Sequence, residues 1–60
     1  MLYATYIGKE EYTIALIPNK VYQVLPDLDA LKDNHLRVID ESDADYLYPI
    51  SWFSVPRQKL

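Results

Sequence analysis

The strongest periodic signal in the pattern of apolar and polar positions along this chain has period two, the spacing that puts successive side chains on opposite faces of a strand. Met1–Ile7 (MLYATYI) is rich in strand-favouring Tyr, Thr and Ile, and Gly8 ends it. Glu11–Ile17 (EYTIALI) is a second apolar stretch, closed by Pro18-Asn19, a pair suited to reversing the chain over Pro18–Lys20. Lys20–Leu25 (KVYQVL) and His35–Asp40 (HLRVID) are predicted strands, the latter with Leu36 and Val38 on one face and His35 and Arg37 on the other. Asp45–Pro49 (DYLYP) is a further strand, and Ser54–Gln58 a short final one. Pro56 confines that last piece to a sheet edge, because proline has no N–H to give a ladder.

Two segments interrupt the alternation. Glu41–Ala44 reads as a tight hairpin connection. Pro26–Asn34 (PDLDALKDN) is expected to hold one helical turn, starting near Pro26 and ending at Asn34, with Leu28 and Leu31 packing on the body of the domain. A helix so short does not persist in water by itself. Five short strands without a long helix to shield an open sheet suit a small closed or nearly closed barrel. No window sustains a 3.6-residue apolar stripe for three turns, which makes a helical bundle the poor alternative.

Composition narrows this to one domain over residues 1–60, held together by its core or by a partner chain, since there are no cysteines to form disulfides or a thiolate metal site. A chain of this length buries only about 60% of its unfolded surface. Half the residues are hydrophobic, and six Tyr with Trp52 and Phe53 supply a large aromatic payload. The formal charge is −3, and Lys9, Lys20, Lys32, Arg37, Arg57 and Lys59 form no cluster, which counts against binding to nucleic acid. No apolar run reaches bilayer length, so no membrane partner is expected, and without a secretion signal the expected location is the cytoplasm.

Tyr6-Ile7-Gly8-Lys9, Asn19–Leu25, Leu36–Asp45 and Tyr46–Pro49 with Trp52-Phe53 resemble a group of very small bacterial and phage-encoded SH3-like barrel proteins with no established activity. The resemblance implies a mainly β fold, a small five-stranded SH3-like barrel with a short helical turn before the last strand. Tyr48-Pro49-Ile50-Ser51-Trp52-Phe53 is also similar to the eukaryotic SH3 outline, which implies Pro49 and Trp52 in a peptide groove and Phe53 in the core. His35 stands where that family carries a groove tryptophan, and its opening Ala-Leu-Tyr-Asp-Tyr signature is absent, so recognition of proline-rich peptides does not follow.

The residues offer little catalytic chemistry. His35 is the sole histidine, and a general base needs an orienting carboxylate, for which Asp33 is the neighbour, as well as a nucleophile or substrate pocket. There is no G-x-S-x-G, second histidine or cysteine nucleophile, so no enzyme is expected. Asp40, Glu41, Asp43 and Asp45 concentrate acids in one turn. A calcium loop would also need a glycine at its bend and a bidentate Glu twelve residues along, where Ser51 stands, so no metal and no cofactor are expected. These acids could instead form a patch that speeds encounter with a basic partner.

Aromatic placement gives the leading expectation. Tyr46 and Tyr48 share one face of their strand and Leu47 takes the other, so Leu47, Pro49 and Trp52, with Tyr12 and His35, are the candidate contact surface for a protein partner or a second copy in a homodimer. Two other functions stay open: an acidic inhibitor or immunity-type protein occupying a basic site through Asp40, Glu41, Asp43 and Asp45, and a nucleic-acid-associated barrel, disfavoured by charge.

Overall fold

The computed structural model describes residues 2–8 and 14–55. Strands β1 (Leu2–Tyr6), β2 (Val21–Leu25), β3 (His35–Ile39), β4 (Asp45–Pro49) and β5 (Phe53–Ser54) form one antiparallel sheet in the order β4-β3-β2-β1-β5. The sheet curls into a half-barrel, with a 3₁₀ turn at Ile50–Trp52 before the last strand, so the fold is the mainly β, five-stranded architecture with a short helical turn before the last strand that was expected. The final strand begins one residue earlier than expected, at Phe53, and Pro56–Gln58 lie outside the described residues, as do Met1, Glu11, Tyr12 and Thr13. Ile14–Ile17 of the second apolar stretch are turn and irregular backbone.

The register explains the core. Ala4 pairs with Tyr22, Val24 with Val38, and Leu36 with Tyr48, so one side of the sheet collects Ala4, Tyr6, Tyr22, Val24, Leu36, Val38 and Phe53, with Leu16 added from the first loop. Tyr48, Ile50 and Trp52 pack against this cluster. Four aromatic rings meet there at tilted or edge-on angles, with centroids 5.7 Å apart for Tyr6–Phe53, 6.0 Å for Tyr48–Trp52 and 6.3 Å for both Tyr6–Trp52 and Tyr48–Phe53. Those separations are within the favourable range for aromatic pairs. Gly8 must be small, because a side chain there would run into the Tyr6 ring.

Turn chemistry falls to Asn and Asp. Asn19, Asn34 and Asp43 adopt positive φ of 68°, 58° and 65°, a region these residues tolerate better than other side chains. Asn19 ends the reversal at Pro18, where its N–H donates to the Tyr6 carbonyl at 2.7 Å. Ile7 donates to the Trp52 carbonyl at 2.9 Å, tying the 3₁₀ turn to the end of β1.

The predicted helical turn is α1 (Leu28–Lys32), starting two residues after Pro26. The expected cause of its stability is wrong. Leu28 is 77% exposed and Leu31 45%, while Ala30 is the buried residue. A cap holds the helix in place: the Asp27 carboxylate accepts from the Ala30 N–H at 3.0 Å and from Arg37 Nε of β3 at 2.7 Å. Arg37 also donates to Asp45 of β4 at 2.8 Å, so one guanidinium joins helix, β3 and β4 on the outer face.

Candidate binding groove

At the β3–β4 end of the half-barrel, the acidic hairpin builds a polar centre. Asp40, only 4% exposed, accepts from the Ser42 N–H at 2.9 Å and the Ser42 hydroxyl at 2.5 Å through Oδ1, and from the Tyr48 hydroxyl at 2.6 Å through Oδ2. The Ser42 contacts are an Asx turn, and with Asp43 at positive φ they explain why Glu41–Ala44 reverses the chain as predicted. Burial acts to raise the Asp40 pKa, but the donors from Ser42 and Tyr48 outweigh it and hold the carboxyl below its usual range. Burial and the Asp40 charge push the Tyr48 hydroxyl up.

Glu41 fastens the same hairpin to the first loop. Its N–H donates to the Ala15 carbonyl at 2.9 Å, and its carboxylate accepts from Lys20 Nζ at 2.5 Å and the Tyr22 hydroxyl at 2.6 Å. The Tyr22 oxygen in turn accepts from the Ile17 N–H at 2.7 Å. Lys20 and Tyr22 lower the Glu41 pKa, and burial with the Glu41 hydrogen bond pushes Tyr22 up to about 12.

Between these anchors lies an open groove of about 400 Å³ lined by Ile14, Ala15, Asp40, Ser42, Tyr46 and Tyr48. Its size is in the range of ordinary ligand sites. Ile14 is 95% exposed and Tyr46 56%, so two large apolar surfaces remain in water at its walls. The ion pairs of the described residues are Lys20–Glu41, Lys32–Asp29, Arg37–Asp27 and Arg37–Asp45, and none involves Asp40.

The residues singled out from sequence divide between two faces. Leu47 pairs with Arg37 and Pro49 with His35, which places these four on the outer face with Leu47 exposed. Trp52 instead packs on the core cluster through its ring contacts with Tyr6 and Tyr48. Tyr12 lies outside the described residues. His35 Nδ1 sits 2.6 Å from the Asp33 backbone carbonyl, so the contact that orients the ring is to the main chain and not to the Asp33 carboxylate. Of the acidic patch, Asp40, Glu41 and Asp45 are drawn into internal hydrogen bonds, and Arg37 lowers the Asp45 pKa.

Sequence reasoning missed Ile14, Ser42 and Tyr22 as parts of this end. The Asp40-x-Ser42 spacing is the signal that could have found the Asx turn, and Tyr46 with Tyr48 at alternate positions of β4 marks the aromatic wall. The Glu41–Tyr22 contact spans nineteen positions and has no local signal. Among the described residues, no helix is long and apolar enough to cross a membrane. Comparison with family models, with curated proteins and with solved structures found no match.

Proposed function

We propose that this chain is a non-enzymatic protein-interaction module that receives a partner protein at the groove between Ile14-Ala15 and the β3–β4 hairpin. The observation that carries the reading is a contrast in how side chains are used. Asp27, Arg37, Asp40, Glu41 and Asp45 are all engaged in hydrogen bonds that hold the fold, whereas Ile14 and Tyr46 stand exposed at a preformed groove. Exposed apolar surface rimmed by polar groups is the usual mark of a contact site. The same engagement of Glu41 and Asp45 favours this reading over an acidic inhibitor acting through a broad negative patch.

The test uses two surface substitutions on opposite faces. Ile14→Asp changes a side chain that contributes little to the core, so the variant is expected to keep its circular dichroism spectrum and lose the protein captured from a host lysate. Leu47→Asp, on the outer face, is expected to retain it. Loss of the captured protein with Leu47→Asp and not with Ile14→Asp overturns the groove reading and moves the contact to β4's outer side.

A further inference from the structure

The groove has an unusual electrostatic feature. A buried carboxylate is costly unless it is neutralised by a cation or richly hydrogen-bonded. Each of the other carboxylates that holds the fold together, at Asp27, Glu41 and Asp45, has a cation from this chain against it. Asp40 has three hydrogen-bond donors and no cation among the described residues, and it lines an open groove. A carboxylate offers about four acceptor positions, and the donors of Ser42 and Tyr48 occupy three of them. Lys20, the nearest base in this network, is held on Glu41.

The walls suit the same kind of guest. Tyr46 and Tyr48 line the groove beside Asp40, and the face of a tyrosine ring attracts a cation. Among the described residues no basic side chain lines the groove, and the whole chain carries a formal charge of −3, which favours the approach of a positive partner. We propose that the groove takes a lysine or arginine side chain projecting from a partner protein, with its charge against Asp40 and its stem against Tyr46, Tyr48 and Ile14. The volume of about 400 Å³ exceeds one such side chain, leaving room for flanking residues of an extended segment. This inference rests on the interaction-module reading and supplies the partner's chemistry.

The experiment is a titration of the isotope-labelled full chain, followed by amide NMR, with N-acetyl-lysine methylamide, N-acetyl-arginine methylamide and the uncharged N-acetyl-norleucine methylamide. The expected result is saturable movement of the Asp40, Ser42, Tyr46 and Tyr48 amides with both cationic probes, and affinity about tenfold lower for norleucine, the loss of one charge-assisted hydrogen bond. Tyr46→Leu, at an exposed position, should weaken the lysine probe about two- to fivefold, the size of an exposed cation–π contact. Asp40→Asn should abolish the preference for a cation, and because that variant is at risk of misfolding the Tyr46→Leu series stands independently of it. Equal binding of norleucine, or movement confined to other surfaces, overturns the proposal. Movement of the same amides with protein concentration alone makes a second copy the occupant and equally overturns it. A protein captured through Ile14 by a chain that ignores both cationic probes leaves the interaction reading standing and removes only this inference. Loss of capture and of probe binding together removes both.

Discussion

Two carboxylate centres sit on opposite faces of one hairpin and are built on different principles. On the outer face, Asp27 and Asp45 share the Arg37 guanidinium, with hydrogen bonds of 2.7 and 2.8 Å. On the inner side, Asp40 is held by Ser42 and Tyr48, neutral donors, and has no cation of the described residues against it. The first centre joins three elements and is partly open to water, where ion pairs contribute little and salt weakens them. The second is shielded, so its hydrogen bonds are strong and their loss is expensive. Where the chain supplies the counter-ion, the centre is complete as a fastening. Where it supplies only neutral donors, a charge remains beside an open groove, and that difference locates the proposed contact site.

The largest effect expected from breaking this contrast is that of Tyr48→Phe. It removes a donor from a shielded carboxylate while keeping the ring against Trp52 and Phe53, and should cost about 1.5–3 kcal/mol in denaturant unfolding. A change within error would mean that the Asp40 centre contributes no stability.

Next comes the pH profile of stability. Asp27, Asp40, Glu41 and Asp45 all have folded-state pKa values lowered from the ordinary 3.8 or 4.5, so their contribution is fully present above about 4.5 and is lost as pH falls below it. Both faces share this acid limb. Tyr22, raised from 10.0 to about 12, acts in the opposite sense: its contribution is complete below 10.0 and is lost as pH rises towards 12. Tyr48 shifts in the same direction. Among the described residues, Tyr22 and Tyr48 on the groove side carry the alkaline limb between pH 10.0 and about 12, and Tyr22→Phe should make it shallower while leaving the acid contributions of Asp27, Asp40 and Asp45 in place. An unchanged alkaline limb in that variant would contradict the assignment.

A smaller effect is expected at the hairpin tip. Asp43 has φ 65°, so Asp43→Val should cost about 1–2 kcal/mol through backbone strain, and Asp43→Gly should not. The smallest effect is expected from Arg37→Gln, whose destabilisation should fall below that of Tyr48→Phe and shrink further in high salt. An Arg37→Gln loss as large as that of Tyr48→Phe would reverse the ranking of the two centres.

Strands β1, β2 and β3 were legible because one face of each carries buried residues, which forces the alternation of apolar and polar positions. Leu36 and Val38 against His35 and Arg37 is the clearest case, confirmed by their burial and register. The helix at Leu28–Lys32 was legible in place and not in cause: the two leucines suggested packing, but the cap at Asp27 depends on Arg37 ten residues away. Tyr46 and Leu47 fell on opposite faces as the alternation requires, yet which face carries the candidate site was not legible. That depends on how the first loop returns to meet the hairpin through Glu41, Ala15 and Tyr22, contacts made across long separations in sequence.

The most direct test of the groove is photo-crosslinking in the cells that make the protein, with a benzophenone amino acid placed at position 46 in one variant and at position 47 in another. These neighbours on β4 face opposite sides of the sheet. The predicted result is a protein adduct from position 46 and none from position 47. An adduct from position 47 alone would place the partner on the outer face and contradict the account.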